Sequence, residues 1–506
     1  MPTPPALRVG LLIDSFTQPQ WVYKTVKDIR DSGCADIVLV IENDAVPVSH
    51  GAWRTLFDKR HHVIRKIYIA LDQLAFTSKV DPFTPVDIRP LMASSAHLRV
   101  LPRQTRFSDY FSPEDVSTIL GYQLDVAFRF GFRLLKGDAL TIAKYGVWSY
   151  HHGDNLVNRG GPAGFWEVME HEPVTGSVLQ ILTARLDDGH VLYRSWASTV
   201  WFSVKRNKDN YYWKSSAFAA RALRDLAERG PAALNRDSGS HVYRPFSHRL
   251  RRAPGNREML SLLAALALRM ARRGLHRLWY REQWFIGFDM NDSRQMSASF
   301  HNVKPLMPPK DRFWADPWPV AKDGKYYIFI EEWLYRASKG HVAVIEMEKN
   351  GQWTPPVKVL EKPYHLSHPC IFTWQESYYM IPETLDNRAI ELYRCVSFPC
   401  EWTFDRVLMS DVLAVDATVA EIDGMWWLFA NIAEEGASTN DELHVFCAQR
   451  ARSDRGGRIR GIGSSPTYDR HALRAPCFTG TDRSTGRPRI HRSRTVTPFR
   501  STESSD

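Results

Sequence analysis

The chain has 506 residues, 44% hydrophobic and 24% charged, which suits a soluble globular protein of two to four domains. Six cysteines with no C-x-x-C pair and no metal-ligand spacing argue against a zinc or disulfide scaffold; reduced thiols in a cytoplasmic protein are expected, Cys395 and Cys400 included. The net charge of +10 is local: from Arg450 onward there are 13 arginines, no lysine and 5 acids, so eight of the ten net charges sit there, the basic balance is no evidence for a nucleic-acid face on the rest, and no nucleic-acid partner is expected.

In chain order, the N-terminus MPTPPALRVG lacks a basic stretch followed by a long apolar core, so no signal peptide is expected. Residues 7–13 (LRVGLLI) form an apolar run, expected as a buried parallel strand. Residues 20–32 carry Trp21, Val22, Val26 and Ile29 at helical spacing, and residues 35–42 (ADIVLVIE) are a second buried strand. Strand, helix and strand in this order predict a doubly wound α/β domain. No G-x-G-x-x-G follows the first strand, which argues against a dinucleotide site. Further strands are expected at 98–101 and 125–129, with the sheet closing through the strand that ends at His151.

The richest segment runs over 146–192. It reads GVWSYHHGDN from Gly146, RGGP from Arg159, TGSVLQ from Thr175 and LDDGHVL from Leu186. A histidine at a strand end, held by a carboxylate, can take a proton or hydrogen-bond a developing oxyanion. This order of motifs resembles the N-terminal catalytic domain of the formyltransferase family, over roughly residues 6–205. The resemblance implies that His151 is catalytic, with Asp187 as its carboxylate partner. Ser149 stands where the family has asparagine and is a weaker hydrogen-bond donor. His152-Gly153-Asp154-Asn155 replaces the family's SLLP segment, and the resemblance implies that Gly153, Asp154 and Asn155, with Asp188, would face the donor, 10-formyltetrahydrofolate. Arg159 and Gly160 would lie on the substrate side of the turn. The plain alternative is that His151 and His152 cap a strand and 187–189 is only a turn. A metal held by the two histidines with Asp154 or His171 is disfavoured, because adjacent strand residues point to opposite faces, and no metal is expected.

Residues 206–282 read as a helical linker, with helices at 215–229 and 258–281. The second helix has about 13 mostly apolar residues, too few to span a bilayer; packing between domains is preferred over a weak interfacial membrane contact. From Trp284 short aromatic strands take over. Three segments repeat: ADPWPVAKDGKYYIFIEE from Ala315, SHPCIFTWQESYYMIPET from Ser367 and VDATVAEIDGMWWLFAN from Val415. Asp316, His368 and Asp416 mark the period, and hairpins are expected at Asp323-Gly324, Gln375-Glu376 and Asp423-Gly424. A repeat of this size predicts β-propeller blades. The wording resembles the five-bladed propeller of the glycoside hydrolase family 43 type and the N-terminal propeller of glucosamine inositolphosphorylceramide transferases. On that resemblance residues 283–448 are a partial propeller, and Asp316, Glu383 and Asp416 are substrate-binding carboxylates near its axis, with Trp314, Trp318, Trp426 and Trp427 as stacking surfaces or gap fillers. Residues 449–506 have the composition of a disordered Arg-rich tail, or of a reading-frame shift that replaced the last blades.

These readings converge on a formyltransferase-like enzyme acting on an amine, with an amino sugar or glycan precursor as substrate. A tRNA substrate is disfavoured, since no small β-barrel follows the first domain. The alternatives are a catalytically degraded carbohydrate-binding or scaffold protein, and a glycan-active enzyme working through the propeller.

Overall fold

The structure, a computed structural model, describes residues 6–45, 61–154, 159–184, 189–235, 250–290, 303–448 and 490–498. The chain divides into two compact units, Met1–Met270 with Glu434–Ser438, and Ala271–Ala433 with Thr439–Asp506.

In the first unit, Leu7–Ile13 (β1) is apolar apart from the exposed Arg8 because both its faces are covered: Val9, Leu11 and Ile13 join one core layer, Leu12 the other. The remaining strands are Ala35–Asn43 (β2), Ala96–Val100 (β3), Val126–Arg129 (β4), Val147–His151 (β5), Val174–Ile181 (β6) and His190–Ser198 (β7). Their spatial order is β7-β6-β5-β4-β1-β2-β3. β1 to β5 are parallel, while β6 and β7 are antiparallel additions. The chain winds outward from β1 through β2 and β3, then returns to the other side with β4 and β5. The winding reverses between β1 and β4, and in open α/β sheets the ligand crevice lies outside the carboxyl ends of the strands at that point.

Helices cover both faces. Gln20–Asp31 (α1) buries Trp21, Val22, Thr25, Val26 and Ile29 on one stripe and pairs Lys24 with Asp28 one turn apart. Val63–Ala75 (α2) has no counterpart among the expected elements. Pro113–Leu120 (α3) starts at Ser112, whose hydroxyl accepts from the Asp115 amide at 3.1 Å. Trp166–Glu170 (α4) is short. Val204–Ser215 (α5) and Phe218–Arg229 (α6) differ from the expected linker. Trp213, Phe218, Ala219, Leu223 and Leu226 pack with Val9, Phe128 and Trp148 in the core of the first unit. Asn256–Trp279 (α7) carries the boundary between the units. No helix among the described residues is long and apolar enough to cross a membrane.

The second unit is built of antiparallel sheets. Tyr280–Phe288 (β8) pairs with Lys304–Leu306 (β9). Arg312–Lys322 (β10), Lys325–Leu334 (β11), Lys339–Met347 (β12) and Val357–Leu360 (β13) form a four-stranded meander. Ser367–Trp374 (β14), Ser377–Thr384 (β15), Ala389–Ser397 (β16) and Glu401–Ser410 (β17) form a second. Leu413–Ile422 (β18), Met425–Ala433 (β19) and Leu443–Ala448 (β20) form a third sheet. Successive sheets stack face to face, through Phe288, Trp314 and Ile345, then Phe329, Ile371 and Tyr393, then Cys370, Ile381 and Leu428. All three expected hairpin turns are present, with both central residues at positive φ: 49° and 79° at Asp323-Gly324, 47° and 62° at Gln375-Glu376, 53° and 74° at Asp423-Gly424. Cys395 and Cys400 are free thiols.

Within the Arg-rich tail, where composition predicts disorder, Ile490–Pro498 (β21) is a strand paired along the whole of β8. An unpaired strand edge supplies a row of backbone donors and acceptors that any extended segment can satisfy, whatever its composition. The other tail residues lie outside the described residues.

Candidate functional site

Strand alternation decides what the first unit presents at its switch point. Leu12, Ile41, Ala127 and Val147 belong to one core layer. Two residues further on, Asp14, Asn43, Arg129 and Ser149 therefore emerge on that same face, and His151 two residues beyond Ser149. The hydrogen bonds agree. Asp14 Oδ1 accepts from Asn43 Nδ2 at 2.8 Å and from the Phe132 amide at 2.7 Å. Arg129 donates from Nε and Nη2 to Ser149 Oγ at 3.1 and 2.9 Å. Its Nη1 donates to the carbonyls of Phe132 and Arg133 at 3.3 and 2.9 Å. Burial pulls the Arg129 pKa down from its ordinary value, and the charges of Asp14 and Asp109 oppose that pull. Gly131 allows the loop after β4 to lie against the end of β1: a Cβ there would sit 2.3 Å from the Asp14 nitrogen and 2.5 Å from the Ile13 carbonyl carbon.

Ser149 is thus buried, 2% exposed, and both its lone pairs face Arg129. It offers no acceptor to a substrate; its remaining capacity is the O–H, whose contact with the Tyr150 carbonyl is long at 3.4 Å. His152 lies on the opposite face from His151. Its ring stacks on Tyr212 at 3.7 Å and stands edge-on to Trp21 at 5.1 Å. Neither ring nitrogen has a hydrogen-bond partner among the described residues, and burial holds its pKa well below the usual histidine value.

Asp187, Asp188 and Asn155 lie outside the described residues. Gly153 is buried. Asp154 is buried with its carboxylate turned to Trp196, whose Nε1 donates at 2.9 Å, and to Arg194 at 3.8 Å. A Cβ on Gly176 would meet Asp154 Cβ at 2.6 Å, so that glycine admits the loop. Arg159 and Gly160 pair with Leu250 and Arg251, and Gly160 has φ +90°. Thr175 is a buried strut. Asn207, which sequence reasoning missed, donates to its Oγ1 at 3.1 Å and to the Gly164 carbonyl at 3.2 Å, and accepts from the Val200 amide at 3.1 Å. One α5 side chain therefore ties Gly164, two residues after the RGGP turn, to the TGSV strand.

In the second unit, β10, β14 and β18 each carry a register slip, and at each slip one residue takes positive φ: Asp316 at 50°, His368 at 41° and Asp416 at 55°. Fifteen residues later in each repeat come Glu331, Glu383 and Asn431, paired across the hairpin with Ala315, Ser367 and Val415. The three expected carboxylates are linked through neighbouring backbone and His368 rather than to one another. The His368 amide donates to Asp316 Oδ2 at 3.2 Å, and the Asp416 amide donates to Glu383 Oε2 at 3.3 Å. His368 Nδ1 is 3.6 Å from Asp416 Oδ1, and its Nε2 is 2.9 Å from Thr418 Oγ1. Burial, with the nearby Glu383 charge, pushes Glu331 up to about 8; burial, with Asp416, pushes Glu383 up to about 7. His368 and Glu331 were not assigned to the site from sequence, although the constant fifteen-residue spacing marks both. Trp314 is buried and donates to Glu332, hence a packing residue, whereas Trp318 is half-buried beside His368 at 6.0 Å. Trp426 packs on Phe372 at 5.4 Å.

Residues 304–456 match the sequence model of a family described as glucosamine inositolphosphorylceramide transferase 1, N-terminal. Over 136 residues the chain is 31% identical to glucosamine inositolphosphorylceramide transferase 1 of Oryza sativa subsp. japonica and 30% identical to that of Arabidopsis thaliana. Each alignment covers 26% of this chain, which spans only 18% of the length of either relative. Similar solved structures include glycinamide ribonucleotide transformylase 1 from Symbiobacterium toebii, at 15% identity and TM-score 0.30, covering 44% of this chain and 88% of that one. A Bacteroides ovatus xyloglucan-locus GH43B protein, at 15% identity and TM-score 0.24, covers 29% of this chain and 32% of its own.

Proposed function

We propose that the first unit is a formyltransferase-like enzyme that moves a one-carbon formyl group from 10-formyltetrahydrofolate to an amine on an amino sugar or glycan precursor. The observation that carries this is the polar row Asn43, Asp14, Arg129, Ser149 and His151 on one sheet face, at the carboxyl ends of four adjacent strands beside the switch point. An attacking amine loses a proton, and the formyl oxygen gains negative charge. The His151 imidazole at the strand end serves the proton or the oxyanion. The Arg129 guanidinium, behind Ser149, adds positive potential to the same face, and water is scarce there because Ser149 is buried. Asp154 does not fit a donor-binding role in this arrangement, since its carboxylate is spent on Trp196 and Arg194. The sugar side of the proposal draws on the second unit, read as part of a five-bladed propeller, and on matched relatives named glucosamine inositolphosphorylceramide transferase 1.

The test is to incubate the full chain with 10-formyltetrahydrofolate and a panel of amino sugars and to look for N-formyl products by mass spectrometry. His151→Ala is expected to abolish product while leaving the circular dichroism spectrum intact; unchanged turnover in that variant refutes the proposal. A second reading, glycan chemistry through the second unit, is favoured by the chain of contacts from Asp316 through His368 to Asp416 and Glu383. It requires activity that is lost with Asp316→Asn and kept with His151→Ala.

A further inference from the structure

The pairs Asp316/Glu331, His368/Glu383 and Asp416/Asn431 are three copies of one two-strand arrangement, facing one another through the contacts given above. We propose that this cluster is a receptor for the protonated amine of an amino sugar. The inference stands on the second unit alone and does not depend on formyl transfer in the first.

Three observations lead to a cationic ligand. Glu331 is 6% exposed, and the one polar side chain placed against its carboxyl group among the described residues is His365, whose Nδ1 accepts from the Gly340 amide and whose Nε2 stands 3.6 Å away, an ion-pair distance longer than a hydrogen bond. A carboxyl group this buried with only one long contact is weakly satisfied, and a ligand N–H would improve on that contact. Next, no lysine or arginine among the described residues pairs with Glu331, Glu383 or Asp416. The nearby bases are imidazoles, His365 and His368, and burial lowers the pKa of both, so neither supplies a standing positive charge at neutral pH. Asp386 adds further negative charge beside Glu383 and His365. Finally, among the described residues no three His, Cys, Asp or Glu side chains are gathered closely enough to hold a metal ion, which favours an organic cation.

The surroundings fit a sugar carrying that amine. Trp318 stands half-buried at the bulge with its indole N–H already bonded to the Ile371 carbonyl at 2.8 Å, leaving the ring itself for apolar contact. His368, Thr418 and Ser367 supply neutral polar groups suited to hydroxyls. Glu331 and Glu383 each retain a proton more tightly than an ordinary carboxyl group. An entering ammonium group would therefore displace protons into solvent, which an acylated amine would not do.

The experiment is calorimetric titration of the full chain at neutral pH with D-glucosamine, N-acetyl-D-glucosamine and calcium chloride, repeated in two buffers of different ionisation enthalpy. Glucosamine is expected to bind with proton release, and the N-acetyl sugar at least about tenfold more weakly. Glu331→Gln is expected to weaken glucosamine binding by about tenfold. Asp416→Asn, at a side chain 47% exposed where substitution leaves folding intact, weakens it as well. Equal affinity for both sugars, absence of glucosamine binding, binding without proton release, or calcium binding tighter than glucosamine would each overturn the proposal. His151→Ala leaves this binding unchanged, so failure here and failure of formyl transfer are read separately.

Discussion

Ser149→Ala isolates what the switch point of the first unit depends on. The substitution removes one oxygen that accepts two hydrogen bonds from a buried guanidinium, at 2.9 and 3.1 Å. Hydrogen bonds to a charged group contribute about 1.5–3 kcal/mol each, and a stranded buried donor costs about 1–3 kcal/mol. The two bonds share one acceptor, and Arg129 keeps its bonds to the carbonyls of Phe132 and Arg133, so the loss is taken as about 3 kcal/mol, roughly a hundredfold in the local opening equilibrium. Amide hydrogen exchange on the full chain measures it. Peptides spanning 126–133 and 147–151 should exchange roughly a hundredfold faster, while peptides from the second unit stay unchanged. Arg129→Met alone removes the charge along with its partner's bonds, and the double variant should be much less destabilised than the sum of the two singles. A change below about threefold in Ser149→Ala, or additive single variants, would show that Ser149 and Arg129 are not coupled as described.

Asn207→Ala should cost the first unit about 2–4 kcal/mol, because three buried backbone and side-chain groups lose their partner together; thermal unfolding of the variant checks this, and a shift within error contradicts the strut. The second unit should lose stability as pH rises. Glu331 and Glu383, at about 8 and about 7, bind protons more tightly folded than unfolded, where the ordinary value is 4.5. The folded form therefore holds more protons between those values, and stability falls from about pH 5 to about pH 8, by at most about 1.4 kcal/mol per pH unit for each proton. Glu331→Gln should flatten that slope in urea titrations followed by exchange at residues 328–332; a wild-type slope of the opposite sign, or an unaltered slope in the variant, counts against it.

Much of this architecture was readable from residues alone, for identifiable reasons. β1 and β2 are apolar on both faces, so their limits are visible as runs, and α1 shows its buried stripe at helical spacing. The hairpins at Asp323-Gly324 and Asp423-Gly424 declare themselves through turn residues that accept positive φ. α5 escaped notice because its buried side is polar: Lys205, Asn207, Asp209 and Lys214 are covered by neighbours and satisfied by hydrogen bonds, with Lys205 Nζ 2.7 Å from Asp209. α2 was legible but not read: Ile67, Leu71 and Leu74 recur at helical spacing, and what the spacing does not reveal is that all three are exposed. In the first site, His151 could be located from its motif, but the role of Arg129 depends on the parallel register that sets it beside Ser149. In the second, three carboxylates were anticipated, while Glu331 was overlooked although it stands fifteen residues after Asp316, as Glu383 does after His368; hairpin pairing makes the equivalence plain.

The left-handed residues at 316, 368 and 416 have a consequence for how such a surface evolves. A backbone in that region tolerates few side chains other than glycine, and asparagine, aspartate and histidine are the ones most readily accepted. Conformational demand and acid–base capacity thus select from one short menu of residue types. A lineage can exchange an aspartate for a histidine at any of these corners and alter ligand preference without rebuilding the strand. For the same reason, recurrence of either residue at a corner in other sequences is weak evidence of chemistry, and the residue fifteen positions later, which bears no such backbone constraint, is the better indicator of function.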